Sequence, residues 1–333
     1  MIRIFLLLLA IAAPLLPTAQ AQPLRFVVFG DMPYCRDTAI APCAAQVARV
    51  EALTQAINAA RPAFSIFVGD TKGGSEVCDD AGLLRAANWF AMLDAPLVYT
   101  PGDNEWTDCW TARAGRFHPP ERLAFLRRQF FASPMSLGRQ PMPLGRQSEV
   151  MLGQLAFDGD GFVENARWTM AGLRFMTLHV TGSNNNLPEG LRHIPPASAL
   201  APAEFAAREA ASLAWLEDTA ALARSENAAG LVIGLQADLY CFRTEGDGFT
   251  ALRAALLRVA QEMAPRPVLV LTGDSHYFLD ERPERAASNL RRVMVPGDQD
   301  IRAVLASYEP GRPDPFRFTL LGGAADPARN RCR

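Results

Sequence analysis

The sequence predicts an α/β protein built as a four-layer α/β/β/α sandwich, in which two packed β-sheets lie between outer layers of helices. Two observations lead to this prediction. Apolar, β-rich runs alternate with helical patterns through most of the chain, which is the order expected of parallel strands joined by right-handed crossovers. The last part of the chain instead contains three strand-like runs and almost no helix, which indicates a β meander.

The first part of the chain carries the clearest alternation. Apolar residues recur at helical spacing between residues 44 and 60, and Pro62 follows them. The predicted elements here are strand Leu24–Phe29, helix Ala44–Ala60, strand Phe64–Val68, helix Ala81–Leu93 and strand Leu97–Thr100.

Residues 106–165 interrupt this rhythm with one amphipathic helix, Glu121–Phe131, and a stretch rich in Pro, Gly and Met. We interpret them as an insertion over the site, within a single domain that spans residues 22–333. The remaining predicted elements are strand Leu173–Val180, helix Ala203–Ser225, strand Leu231–Leu235, helix Phe249–Met263, strand Val268–Leu271, and the late strands Leu290–Val295, Arg302–Tyr308 and Phe316–Leu321.

The N-terminus has the features of a secretory signal peptide, predicted over residues 1–21. Arg3 precedes the apolar run Ile4–Leu16, and Ala19-Gln20-Ala21 is a small-x-small cleavage site. The apolar run is shorter than the roughly 20 residues that span a bilayer, although a retained anchor is the alternative. We therefore expect a periplasmic or secreted protein that keeps no membrane span after cleavage.

The six cysteines predict disulfides because the chain is expected to be exported and none of them forms a CxxC pair. The set that we expect is Cys35–Cys43, Cys78–Cys109 and, by elimination, Cys241–Cys332.

Composition and motifs exclude several function classes. The formal net charge of −2 does not favour a nucleic-acid or anionic-membrane partner. The sequence has no G-x-S-x-G elbow, no Walker A loop and no G-x-G-x-x-G after its first strand, so a serine hydrolase or an NAD enzyme finds little support.

Four predicted strands end in the same dipeptide, Gly-Asp, which places Asp31, Asp70, Asp103 and Asp274 just beyond them. The carboxyl ends of parallel strands share one edge of a sheet, and ligands bind there. Four carboxylates at one edge repel one another unless cations lie between them. Gly-Asp is also a common turn dipeptide, and three further examples, at 159–160, 246–247 and 297–298, are interpreted as turns.

The order of these motifs, GD, GD, GDNE and then GDSH, resembles that of the calcineurin-like metallophosphoesterases across the mature chain. The family pattern is D-x-H, GDxxD, GNHE, a lone His and GHxH. By this resemblance Asp31 is the aspartate of the first metal and Asp70 bridges two metals. Asp103 stands where the family has an asparagine ligand, and His276 matches the second histidine of GHxH.

Four histidines of the family pattern are replaced in this sequence. Pro33 takes the place of the D-x-H histidine, Asn104 that of the GNHE histidine, Gln236 that of the lone histidine and Asp274 that of the first GHxH histidine. In one interpretation, the site is rebuilt with oxygen ligands and binds two divalent ions, with Mn, Mg, Ca, Fe and Zn not distinguished. In the other, it holds one ion or none, and the fold serves binding.

Lys72, the only lysine of the chain, lies in GDTKGG, two residues beyond Asp70. It is interpreted either as a cation that faces a bound phosphate or as a solvated loop lysine. Tyr34, His179 and Asn184 are predicted to contact substrate because they lie beside or beyond the motif strands, with a structural histidine as the alternative for His179.

The leading functional prediction is a metal-dependent phosphoester hydrolase that acts on a small molecule. Its metal ligands would be Asp31, Asp70, Asp103, Gln236, Asp274 and His276, and Asn104 and Lys72 would be catalytic residues facing the phosphate. The alternative is a catalytically impaired protein of the same fold that binds an anionic or phosphorylated ligand. Because Asn104 cannot act as a general acid, we expect a slow enzyme or one limited to good leaving groups.

Overall fold

Two β-sheets pack face to face between two layers of helices, which confirms the predicted fold class. The computed structural model describes residues 23–35, 43–150, 156–157, 160–188, 199–241 and 246–323. The predicted signal peptide lies outside these residues.

The helices and strands follow the alternation expected from the sequence. The helices are α1 (Ala44–Ala60), α2 (Asp80–Phe90), α3 (Pro119–Phe130), α4 (Gln147–Val150), α5 (Gly182–Asn185), α6 (Ala201–Ser225) and α7 (Thr250–Met263), with a 3₁₀ turn at Thr107–Trp110. The strands are β1 (Leu24–Phe29), β2 (Ser65–Phe67), β3 (Leu97–Tyr99), β4 (Gly145–Arg146), β5 (Ala156–Phe157), β6 (Asp160–Gly161), β7 (Ala166–Met170), β8 (Leu173–Thr177), β9 (Gly230–Gly234), β10 (Val268–Thr272), β11 (Leu279–Glu281), β12 (Leu290–Met294), β13 (Ala303–Tyr308) and β14 (Phe316–Leu321).

Both large sheets combine a parallel centre with antiparallel edges. The first sheet has the order β14-β13-β1-β2-β3, in which β1, β2 and β3 are parallel and β13 runs antiparallel to β1. The second has the order β11-β12-β10-β9-β8-β7-β4, in which β8, β9, β10 and β12 are parallel. Strands β5 and β6 form a separate hairpin.

Alternate residues of the strands face different layers of the core. On β1, Phe26 and Val28 face the second sheet, whereas Val27 and Phe29 face α1 and α2. The outer face of the second sheet is covered by α6 and α7, with Trp215 and other side chains packed on β8, β9 and β10. Because both faces of each central strand are buried, these strands are continuously apolar.

The predicted β meander is wrong. Strand β12 pairs parallel to β10 in the second sheet, whereas β13 and β14 pair antiparallel in the first sheet. Residues 273–289, which include β11, give the chain enough length to return beside β10. The sequence analysis missed five strands. Four of them, β4, β5, β6 and β11, have only two or three residues each, and the fifth, β7, lies next to the edge of its sheet.

No helix in the described part of the chain combines the length and the apolar character needed to cross a bilayer. Within residues 106–165, α3 packs beside α2 in the outer layer of the first sheet. That this segment covers the site is still a proposal.

Candidate metal centre

The six predicted metal ligands meet where the carboxyl ends of the central strands of both sheets converge. Asp31, Asp70 and Asp103 follow β1, β2 and β3 of the first sheet. The second sheet contributes the residues that follow β9 and β10, namely Gln236, Asp274 and His276. Each sheet therefore supplies half of the site.

Asp31, Asp70 and His276 form the tightest group. Their candidate ligand atoms all lie within 4.8 Å of one another, and Asp31 Oδ1 is 3.1 Å from His276 Nε2. Burial lowers the pKa of His276, but the charge of Asp31 and its contact with the imidazole outweigh burial and raise the pKa to about 9. These three side chains thus offer two carboxylates and one imidazole to a single cation.

The carboxylates of the site are crowded and buried. The pKa of Asp70 is raised well above its usual range by burial and by the charges of Asp103, Glu105 and Asp31. The pKa of Asp274 is raised by burial and by the charges of Asp103 and Asp31. Like charges removed from water favour either protonation or a bound cation, so the crowding fits a metal centre.

Backbone strain is concentrated at these residues. Asp31, Asp70, Asp274 and His276 have φ values of 46°, 65°, 75° and 64°, a left-handed region that costs a non-glycine residue on the order of 1 kcal/mol. Hydrogen bonds stabilise the turns, among them one from Asp274 N to Asp31 Oδ2 at 3.1 Å. The sharp turns aim the side chains back over the strand ends.

A second group is formed by Asp103 and Asp274 beside Gly182. A Cβ atom added to Gly182 would lie 2.6 Å from both Asp103 Oδ2 and Asp274 Oδ1, so a methyl group there would displace both carboxylates. Gln236 donates its side-chain N–H to Asp103 Oδ1 at 3.1 Å and to Asp70 Oδ2 at 3.3 Å, while its amide oxygen accepts from Gly182 N. In this orientation Gln236 offers a donor and not the oxygen ligand that the sequence predicts.

Tyr34 and Asn104 lie at the centre of the site. The Tyr34 hydroxyl is 3.3 Å from both Asp31 Oδ1 and Asp70 Oδ2 and 3.2 Å from His276 Nε2. Burial and the charges of Asp70 and Asp31 raise the pKa of Tyr34. Asn104 donates its amide N–H to Asp70 Oδ2 at 2.8 Å and to the Tyr34 hydroxyl at 3.3 Å.

Lys72 is 1% exposed, so it is not a solvated loop residue. Its ammonium donates to the backbone carbonyl oxygens of Gly73, at 3.2 Å, and Glu76, at 3.0 Å. Burial lowers its pKa, whereas the charges of Glu105 and Glu76 oppose the shift. The structure places this cation inside the loop after β2, where it binds the loop's own carbonyl oxygens.

His179 is fully buried behind the site. Its Nδ1 is 2.7 Å from Glu164 Oε1, and Arg127 binds the same carboxylate at 2.8 Å and 3.1 Å. Burial lowers the pKa of His179. This environment is that of the structural histidine considered as the alternative.

The side chain of Asn184 also has internal partners. Its amide donates to Leu187 O at 3.0 Å and accepts from Gly248 N at 2.9 Å. The hydroxyl of Ser183, next to it, lies close enough to Asp103 and Asp108 to oppose the rise in the pKa of both carboxyls. In this loop it is therefore Ser183 whose side chain reaches the metal centre.

Three acidic residues near the site were missed by the sequence analysis. Asp298 follows β12 in the Gly-Asp pair at 297–298, and its charge acts on His276 and Tyr34. The same dipeptide signal that identified Asp31 could have identified it. Asp238 accepts from Ser275 Oγ at 2.8 Å, and Asp108 has a pKa raised to about 7 by burial and the charge of Asp103; neither carries a local signal.

One predicted disulfide is confirmed beside the site. Cys78 and Cys109 are bonded, and their sulfurs lie 3.6 Å and 3.7 Å from Asn104 O. Cys241 also forms a disulfide, and Cys332, its predicted partner, lies outside the described residues. The pairing of Cys35 with Cys43 is still a prediction.

The fold is similar to those of solved structures, which include a phosphatase. A dimetal phosphatase from Danio rerio matches with a TM-score of 0.54 and 11% identity, over 90% of this chain and 96% of that one. PhoD matches with a TM-score of 0.51 and 14% identity, over 89% of this chain and 65% of PhoD. No protein-family model matches the chain, and no curated protein matches it in sequence.

Proposed function

We propose that this chain, which has the calcineurin-like metallophosphoesterase fold, is a metal-dependent phosphoester hydrolase. One observation carries the proposal: Asp31, Asp70 and His276 offer ligand atoms within 4.8 Å of one another at the shared strand ends. Buried carboxylates at this spacing need a positive charge between them. The position is where α/β folds bind their ligands.

The donor set fits a pair of divalent cations. Asp31, Asp70 and His276 would hold the first ion. Asp70, Asp103 and Asp274 would hold the second, because Asp103 and Asp274 both direct an oxygen at the space beside Gly182. The predominance of carboxylate oxygen suits Mg²⁺, Mn²⁺ or Ca²⁺, and the imidazole also admits iron or zinc.

Bound divalent cations would neutralise phosphoryl oxygens and lower the pKa of water. The chain itself supplies hydrogen-bond donors and exclusion of bulk water. Asn104 donates its amide N–H groups to Asp70 and Tyr34 and would hold both side chains in place beside a bound phosphate. Gln236 donates to both Asp70 and Asp103 and would fix the two carboxylates relative to each other. Lys72 would act indirectly, because its buried ammonium fixes the loop that carries Asp70.

Proton transfer to the leaving group has no obvious donor at the position of Asn104, because an amide does not titrate. General-acid help contributes roughly 10²- to 10⁴-fold in enzymes that have it. We therefore propose a hydrolase that favours small phosphoesters with good leaving groups. Export to the periplasm or outside the cell is part of the proposal, and the Cys78–Cys109 disulfide is compatible with it.

The test begins with protein purified from the periplasm without chelators. Metal content is measured by elemental analysis, and hydrolysis is measured with p-nitrophenyl phosphate and bis(p-nitrophenyl) phosphate. Asp70→Asn is compared with Asp94→Asn, a matched change at an exposed ion pair with Arg139.

The proposal expects about two metal equivalents and hydrolysis of at least one ester, with both lost in Asp70→Asn and kept in Asp94→Asn. Bound metal without hydrolysis of any ester would support the binding protein. A folded protein that takes up no divalent ion would refute the metal centre. Preference between the two esters separates phosphatase from phosphodiesterase.

A further inference from the structure

The Tyr34 hydroxyl is surrounded by the same three side chains that make up the tightest ligand group. It lies 3.3 Å from Asp31 Oδ1, 3.3 Å from Asp70 Oδ2 and 3.2 Å from His276 Nε2. Asp31 Oδ1 and His276 Nε2 are themselves 3.1 Å apart. The Tyr34 hydroxyl is therefore about as far from each of these three atoms as Asp31 Oδ1 and His276 Nε2 are from each other.

The phenolic proton alone does not account for this arrangement. A phenol carries one proton and can donate it to only one acceptor. Two carboxylate oxygens lie at equal distance from the hydroxyl, so the second contact needs either a proton on that carboxylate or a cation between the oxygens. A bound cation would make all the contacts favourable at once.

The spacing is also that of atoms sharing one cation. Ligand atoms bound at ~2.0–2.2 Å lie roughly 2.8–3.6 Å apart when the bond angles fall between octahedral and tetrahedral values. The four separations in the structure, from 3.1 Å to 3.3 Å, fall within this interval.

The position of the ring is fixed by its neighbours. A Cβ atom added to Gly73 would lie 2.9 Å from the Tyr34 ring, so glycine is needed to let the loop pass over it. The ring meets His276 edge to face with a centroid distance of 5.4 Å. Asn104 donates to the hydroxyl from the other side, as partners of metal ligands commonly do.

We infer that Tyr34 is the fourth ligand of the cation held by Asp31, Asp70 and His276. It would supply, from one residue further along the chain, the ligand that Pro33 cannot provide. Coordination would release the phenolic proton to solvent. This inference rests on the proposed metal site and replaces the predicted role of Tyr34 in substrate binding.

The experiment compares Tyr34→Phe with Tyr308→Phe, a control on β13 away from the site. Mn²⁺ affinity of the metal-free proteins is measured by calorimetry, and circular dichroism checks the fold. Tyr34→Phe should bind Mn²⁺ about 10- to 100-fold more weakly, whereas Tyr308→Phe should match the parent. In a second measurement, the parent loaded with Fe³⁺ should show a visible phenolate-to-iron absorption band that Tyr34→Phe lacks.

Equal Mn²⁺ affinity in the parent and in Tyr34→Phe would overturn the inference, and so would a visible band that survives in Tyr34→Phe. In either case hydrolysis by the Mn²⁺-loaded parent would leave the proposed function standing. A parent protein that binds neither ion would overturn the proposed function together with this inference.

Discussion

Removal of the Cys78–Cys109 disulfide should destabilise the protein by an amount that can be worked from its position in the chain. The two cysteines are 31 residues apart, and the loop between them contains α2, β3 and Asp103. Without the cross-link the unfolded chain gains the entropy of opening this loop. For a loop of this length, the chain-entropy model gives about 3.7 kcal/mol at 25 °C.

The assay is guanidinium unfolding of the metal-free protein, because bound metal would add its own stabilisation. The double variant Cys78→Ala/Cys109→Ala is compared with the parent. With a slope of roughly 5 kcal/mol/M, the midpoint should fall by about 0.7 M. The slope itself should change little if the cross-link leaves the folded state intact.

A midpoint shift below about 0.2 M would refute the reasoning, since it would mean that the unfolded chain stays compact without the cross-link. In the folded state, the hydrogen bonds from Cys78 N to Ala114 O, at 2.9 Å, and from Arg122 to Cys78 O, at 3.0 Å, would keep the loop in place in both proteins.

Three further predictions test the site and its support. Gly182→Ala should weaken Mn²⁺ binding by about 10- to 100-fold, because the new methyl group displaces two carboxylates. Gly145→Ala is the control, because a Cβ atom there would have its nearest neighbour 3.6 Å away, and it should bind Mn²⁺ as the parent does. Equal calorimetric affinities of the two variants would contradict the site geometry. Burial raises the pKa values of the carboxyls of the site, to about 7 for Asp108, so the folded protein binds protons more tightly than the unfolded chain. The metal-free protein should therefore lose stability as the pH rises from about 4 through 7. A melting temperature that stays flat or rises over this pH range would contradict the prediction. Glu164→Gln should cost about 3–5 kcal/mol in urea unfolding, because it removes the buried negative charge that the guanidinium of Arg127 contacts. A cost below about 1 kcal/mol would show that this ion pair is dispensable.

The helices and central strands could be predicted from sequence because their signals are local. Helix α1 was predicted to the residue, since its apolar spacing and Pro62 mark both ends. The sheet that a strand joins is not a local property. β12 was assigned to a meander because nothing in its five residues distinguishes a parallel partner from an antiparallel one.

The positions of the site residues were predictable, but the orientations of their side chains were not. The Gly-Asp signal located Asp31 and Asp70, yet the same signal at Asp298 was taken for a turn. Lys72 was predicted to face a phosphate, and its burial depends on carbonyl oxygens that only the folded loop provides. Gln236 likewise turns its donor inward because Gly182 N occupies its oxygen.

The pairing of β1 with β13 has a consequence for how the protein is made. Leu24 lies opposite Tyr308, so a strand synthesised first waits for one synthesised near the end before its second edge is covered. Contacts this distant in sequence form slowly, because a long loop must close before they stabilise anything. Until the last two strands of the first sheet pair, the chain therefore exposes a bare, apolar strand edge, which is prone to aggregation.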